Sequence, residues 1–255
     1  MTQRSLTVPG EVRVIPLVGL PELEAGDDLG VHLAAACDRA GGLEEGDVVV
    51  VAQKAVSKVE GRIVALEEIE PSARSIELAG DEGDARQMEV ILRETAEVVR
   101  SRPPLVISET PHGFVCASAG VDASNAKGPG TVILLPLDPD ASAARLRGRL
   151  AELTGISPGV VVSDSFGRAW RQGTTDVALG VAGIVALRDL RGTTDSRGYE
   201  LRSTMIAVAD EIAGAAELVM GKANGVPAAI VRGVDASGDG RAADIVMPRE
   251  RDLFR

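Results

Sequence analysis

An α/β (α+β) fold is what this sequence predicts, and three observations carry it. Apolar residues make up 45% of the chain and aromatic residues 2%, so the core has to be assembled from Val, Leu, Ile and Ala. Short unbroken apolar runs such as Val48 to Val51 and Val160 to Val162 read as buried strands, and they alternate with segments of helical period. Capping residues and glycines mark the joints between the two.

Taken in order, "EVRVIPLVGL" is a first strand leading into a Pro-containing loop. "GDDLGVHLAAACDRAGG" is a helix capped by Asp27 or Asp28 and closed by Gly41. "GDVVVVAQ" is a buried strand, and "SKVEGRIV" a turn and a strand. Residues 71–100 read as a charged helical region ended by "RPP", an insertion that suggests two intermeshed lobes. "LVISET" and "FVCASAG", joined through "PHG", form a hairpin. "TVILLP", "DPDASAARLRGRLAELTG" and "GVVVSD" make a strand, a capped helix ending at Gly155 and a strand, like a βαβ unit. The clearest helix covers residues 203–220, with Met205, Val208, Ala209, Ile212, Ala216 and Val219 as its buried stripe and Asp210 and Glu211 off it. "PAAIVRG" closes the core, and the polar tail beyond Gly233 is expected to be loosely held. No repeat or long linker divides residues 1–255, so the chain reads as one domain of two lobes with mixed sheets.

The formal net charge of −11 opposes broad contact with nucleic acid or an anionic membrane. It leaves room for a small anion wherever cations cluster. Cys37 and Cys116 lack CxxC spacing and read as small buried apolar side chains in a reducing cytoplasm. The opening "MTQRSLTVPGEVRVIP" has no signal-peptide core, and no run of about 18 apolar residues occurs, so a soluble, cytoplasmic protein is expected.

Two strand ends turn acidic, at Asp122 in "ASAGVDASN" and at Asp164 in "VVVSDS". Ligands of open α/β sheets gather at the carboxyl ends of strands, where two carboxylates can share one hard cation such as magnesium or manganese. Taken singly, each Asp is explained as well by capping its own turn. Arg168 and Arg171 stand three apart, on one face if the segment is helical, and a guanidinium fork matches phosphate or carboxylate oxygens. Their alternative is surface ion pairing, and Trp170 between them reads as packing. Lys54 and Lys58 follow another buried strand at i,i+4 spacing. "MGKANGVP" either offers backbone N–H groups to a phosphate or simply stops a helix. No P-loop motif is present, and "GDGRAA" lacks the βαβ context of a dinucleotide site. His32 and His112 read as structural or solvated, which leaves His-based nucleophilic catalysis aside. From residues alone, this is a metal-dependent protein that handles phosphate.

These stretches resemble the coenzyme F420-0:L-glutamate ligase family (CofE, and the N-terminal domain of the fused bacterial FbiB protein). The likeness runs from "VIPLVGLPELEAGDDL" through "GDVVVVAQKAVSKVEGRIV", "AGVDASN", "LLPLDPDASA" and "VVVSDSFGRAWRQGTTDVALGVAG" to "VADEIAGAAELVMGKANGVPAAIVRG". It implies a GTP-dependent ligase that adds L-glutamate, γ-linked after the first residue, to the lactyl carboxylate of the deazaflavin precursor coenzyme F420-0. GDP and phosphate would be released, by way of an acyl phosphate. The resemblance also implies two divalent cations, Mg2+ or Mn2+, help from K+, and an intertwined homodimer.

By the same resemblance, Asp122 and Asp164 hold the first metal and Ser165 helps hold the second. Leu20, Pro21, Glu22, Leu23, Gln53, Lys54, Lys58 and Asn125 line the GTP site, together with the loop of Met220, Gly221, Lys222, Ala223, Asn224, Gly225 and Val226. Arg168 and Arg171 belong to the family's GRxxR segment and are the candidate catalytic contacts to phosphate or substrate carboxylate. Lys222 departs from archaeal relatives, which carry an acidic second-metal ligand there. The chain stops at "RDLFR" without the flavin-binding reductase domain of the fused proteins, so FMN chemistry is not expected. Two rivals stay open: a ligase of this fold acting on another acidic acceptor, and a nucleotide-binding regulator without turnover.

Overall fold

The structure is a computed structural model that describes residues 10–254, apart from residues 125 and 127. Strand Arg13–Pro16 (β1) is followed by helix Leu29–Arg39 (α1), whose N-cap Asp28 accepts from the Val31 amide, and by strand Val48–Ala52 (β2). Helix Gln53–Val59 (α2) starts directly where β2 ends. Next come Ile63–Ala65 (β3), helices Ala73–Ala79 (α3) and Ala85–Arg93 (α4), and strands Glu97–Arg102 (β4), Leu105–Glu109 (β5), Val115–Ala117 (β6) and Thr131–Ile133 (β7). Helix Pro139–Thr154 (α5), capped by Asp138 and Gly155, leads into the long strands Gly159–Arg168 (β8) and Arg171–Ala182 (β9). Short Arg188–Asp189 (β10) and Met205–Ile206 (β11), helix Val208–Met220 (α6) and strand Ala228–Arg232 (β12) complete the order.

Five strands pair as β1-β12-β2-β8-β9, with β2 and β8 parallel and the other neighbours antiparallel. β2 is a run of valines because both of its faces are covered. The pleat sends Val49, Val51, Val160 and Val162 to the side packed by α1, α2 and α5, and Val48, Val50 and Val161 to the side packed by α6. A third apolar cluster, including Leu78, Met88, Ile91, Val106 and Val132, lies among α3, α4, the β4-β5-β6 sheet and the β3-β7 pair. Fully buried Leu33 and Leu150, between α1 and α5, contribute on the order of 2 kcal/mol each through apolar transfer.

The structure corrects several expectations. Residues 71–100 are not one helical region: α3 stops at Gly80, whose φ of 59° suits glycine, and from Glu97 the chain turns into β4. Val98 and Val99 favour a strand, and Pro103 and Pro104 form the turn from β4 into β5 rather than a helix stop. β7 pairs with β3 in the third cluster, so β7, α5 and β8 are not a βαβ unit; the parallel neighbour of β8 is β2. The last helix begins at Val208, since Met205 and Ile206 pair with Asp189 and Arg188. Its stripe is completed by Ala213 and Met220, and Asp210 accepts from the Ala178 amide at 2.9 Å. The tail beyond Gly233 is packed: Ala236 and Ala242 are buried beside α6, and the Gly240 amide donates to the Ile184 carbonyl. A Cβ on Gly240 would lie 2.3 Å from the Ala186 nitrogen, which shows how close that contact is. Trp170 is not core packing; it is 83% exposed and rests on the Phe254 ring.

Cys37 and Cys116 are free and buried as expected, and burial pushes both thiols up to about 12. Among the described residues no helix is long and apolar enough to cross a membrane.

Candidate functional site

A cavity of about 470 Å3 opens where β2 and β8 end side by side, with Ala52 opposite Ser163. Because α2 follows β2 without a loop, Gln53, Lys54 and Lys58 are delivered to this edge by its first two turns. Residues 20–23 and the loop after α6 form further walls.

Lys54 is the pivot. Its Nζ donates to Asp122 Oδ2 at 2.7 Å and to Ser124 Oγ at 2.5 Å, and Lys222 Nζ lies 3.7 Å from the same Asp122 oxygen. Burial raises the Asp122 carboxyl, but hydrogen bonds from Lys54 and the Ser124 amide outweigh it and hold the group below the usual carboxylate range. Asp122 is outside the lining of the cavity, on a bridge to Ile133 beside the third cluster, and reaches it through its bond from Lys54. Lys58 pairs with Glu22. Gln53 is fully buried, its amide nitrogen donating to Ser57 Oγ at 2.6 Å and the Leu134 carbonyl at 2.8 Å, so it also ties α2 to the neighbouring cluster.

Across β8 and β9, Asp164 stands opposite Val177 and Ser165 opposite Asp176. The pleat therefore turns Asp164 to one face and the Ser165–Asp176 pair to the other, with both lining the same cavity. Burial pushes the Asp164 carboxyl up to about 6; the Ser165 amide and Lys54 oppose this, and the charges of Asp176 and Asp122 add to it. Asp176, 4% exposed, accepts from Ser163 Oγ at 2.8 Å and Ser165 Oγ at 2.7 Å. Glu217 on α6 also lines the cavity, raised by burial and by Asp176, with Lys222 opposing.

The cavity thus brings together Leu20, Pro21, Glu22, Leu23, Gln53, Lys54, Lys58, Asp164, Ser165, Met220, Gly221, Lys222, Ala223, Gly225 and Val226. Asn224 folds against Gly221, where an added Cβ would meet its amide, and is outside the lining. Asn125 lies outside the described residues. Arg168 and Arg171 face each other where β8 turns into β9, so their segment is a strand hairpin rather than a helix. Both are exposed and outside the lining, with Arg168 donating to the Gln172 carbonyl at 3.3 Å. His112 is structural: Nε2 lies 3.0 Å from the Pro136 carbonyl and the ring stacks on Phe114.

The sequence reading missed Asp176 and Glu217. Asp176 becomes visible only once Ala169 and Trp170 are recognised as a turn that folds "TTDVALG" back onto "SDS"; Glu217 lies inside α6 with no motif to single it out.

Chemically, the lining offers carboxylate and hydroxyl oxygens and no Cys or His, which suits a hard divalent cation. The raised Asp164 carboxyl fits as well, being buried and crowded by the charges of Asp176 and Asp122 by more than Lys54 and the Ser165 amide offset. Among the described residues no three of His, Cys, Asp and Glu converge as a ready cage, so such a cation would take further oxygens from water or substrate. The lysines supply the complementary charge for phosphate.

The model of the family described as F420-0:Gamma-glutamyl ligase matches residues 18–233, which contain every residue of the cavity. The chain is 45% identical over 251 residues to the coenzyme F420:L-glutamate ligase of Methanopyrus kandleri, covering 96% of this chain and 98% of that protein. It is 43% identical over 250 residues to the protein of the same name from Methanothermobacter thermautotrophicus, covering 96% and 99%. Identity to the Methanocaldococcus jannaschii protein of that name is 44% over 217 residues, 84% of this chain and 86% of the relative. The chain therefore belongs to the F420-0:gamma-glutamyl ligase family.

Proposed function

We propose that the chain is a coenzyme F420-0:L-glutamate ligase driven by GTP. The observation that carries this reading is the cavity, where Lys54, Lys58 and Lys222 sit with Asp164 and Ser165 at two parallel strand ends. Phosphate groups and the cation that accompanies them both find partners there.

Amide formation from a carboxylate is uphill in water until the acid is activated. In this reading a lactyl carboxylate oxygen of F420-0 attacks the γ-phosphorus of GTP, and GDP leaves. The amine nitrogen of glutamate then attacks the acyl carbon, phosphate departs, and the nitrogen gives up its proton; later glutamates join through γ-carboxyls. Lys54, Lys58 and Lys222 neutralise the phosphates, and residues 20–23 and 220–226 enclose the nucleotide. Asp122 and Asp164 would hold one divalent cation, Mg2+ or Mn2+, and Ser165 would take part in holding a second, with K+ assisting. When bound, these ions polarise phosphoryl oxygens and offset developing charge. Arg168 and Arg171 meet phosphate or substrate carboxylate in an intertwined homodimer; their exposure at a hairpin tip beside Trp170 and Phe254 supports a partner protomer there. The setting is the cytoplasm.

The test is incubation with GTP, Mn2+, L-glutamate and F420-0 followed by mass spectrometry. Glutamylated product with stoichiometric phosphate is expected. The second reading, a nucleotide-binding regulator, has in its favour Lys222, a cation beside Asp122 that competes with a metal for its carboxylate. It requires GTP binding with no phosphate released when both substrates are present.

A further inference from the structure

Ser163 and Ser165 point the same way from β8, and each hydroxyl donates to a different oxygen of Asp176, at 2.8 and 2.7 Å. A hydroxyl has one hydrogen and two lone pairs, so a serine that donates to Asp176 has only acceptor capacity left for the cavity. Asp176 is 4% exposed and Ser163 1%, while Ser165 is half-buried, which leaves its oxygen the reachable end of the pair. The two serines therefore cannot act as donors to phosphate without breaking a buried bond to a carboxylate.

We propose that Asp176 is a positioning residue: by drawing both serine hydrogens towards β9, it presents the oxygens of Ser163 and Ser165 as acceptors and makes this wall a receptor for a divalent cation rather than for phosphate. The inference rests on the ligase reading above, and it gives that reading a division of labour. Phosphate charge falls to Lys54, Lys58 and Lys222, and cation binding on the α6 side falls to oxygens whose direction Asp176 sets. Removing a carboxylate that orients a ligand group typically alters metal affinity by about 10- to 100-fold.

Mn2+ titration of the full chain, followed by calorimetry, reads this without turnover. Asp176→Asn should weaken Mn2+ binding about 10- to 100-fold, because the carboxamide nitrogen turns one serine hydrogen back towards the cavity. In the Ser163→Ala/Ser165→Ala background, adding Asp176→Asn should change nothing further, since the residue acts through the serines. Wild-type Mn2+ affinity in Asp176→Asn overturns the proposal, as does an equal additional loss in the triple variant, which would make Asp176 an independent ligand. If Asp176→Asn does not fold, Asp176→Ser replaces it under the same comparisons: a loss of about tenfold or more that disappears in the double serine background upholds the proposal, and wild-type Mn2+ affinity or an equal loss in that background overturns it. Glutamylation by the wild type is measured in parallel, so failure of the ligase reading is seen separately from failure of this one.

Discussion

Lys54 Nζ donates to Asp122 Oδ2 at 2.7 Å, and that bond joins the carboxyl edge of the central sheet to the residues beside the third apolar cluster. The lysine side chain is 15% exposed and the aspartate 33%, so neither charge is fully repaid by water. Lys54→Met keeps most of the stem but removes the nearer of the two cations from the Asp122 carboxylate, leaving it Ser124 and the more distant Lys222. The expected cost is about 1.5 kcal/mol, a melting temperature lower by about 3–6 °C, together with GTP affinity weakened about tenfold or more. Calorimetric unfolding and GTP titration check the two effects separately.

Asp164→Ala and Asp122→Ala should each abolish GTP- and cation-dependent glutamylation while circular dichroism shows a folded chain. Normal turnover by both variants would refute their place in cation binding.

Stability should carry the signature of Asp164. Its carboxyl, about 6 in the folded chain against an ordinary 3.8, holds its proton longer than in the unfolded chain. The folded state thus binds more protons between these values, so this group's contribution is present below about pH 4 and lost as pH rises through about 6. Asp164→Asn should be more heat-resistant than wild type above about pH 6 without divalent ions, with the difference vanishing below about pH 4. Thermal unfolding across pH reads this directly; a pH-independent difference contradicts it.

Gly180 on β9 lies against the first turn of α5, where a Cβ would stand 2.1 Å from the Pro139 carbonyl oxygen. Backbone cannot yield as a side-chain tip does, so Gly180→Ala should destabilise by about 1–3 kcal/mol or more. Chemical denaturation should show it as a lower midpoint with an unchanged slope.

Arg168→Ala/Arg171→Ala should leave stability within about 0.5 kcal/mol, because both residues are exposed at the hairpin tip. GTP affinity should also hold while glutamylation falls where these arginines meet the substrate carboxylate across a dimer, and a loss of GTP affinity would instead place them on its phosphates. Unchanged turnover removes them from the reaction.

The sheet strands that build the site were readable because β2 and β8 are buried on both faces and announce themselves as valine runs. Lys54, Lys58, Asp164 and the 220–226 loop were readable because they follow those runs or a helix stop directly. β4 was lost because its charged residues imitate the helical surface before it, and its pairing with β5 is a long-range choice that local pattern does not record. The role of Arg168 and Arg171 was cast in helical terms for a related reason: a two-residue turn built on Ala169 and Trp170, the latter with φ of 58°, carries none of the usual Gly or Asn markers. That same turn hid Asp176, whose partnership with two serines exists only across the hairpin.

α2 begins on the residue after β2, so Lys54 and Lys58, two of the three lysines proposed for charge neutralisation, are bolted to the middle strand of the central sheet. The walls that would recognise the base and the acceptor, residues 20–23 and 220–226, are loops outside that frame. Evolution is accordingly free to retune what the enzyme selects, and the charge that Lys222 adds, by altering loops, whereas displacing Lys54 and Lys58 means rebuilding the centre of the sheet.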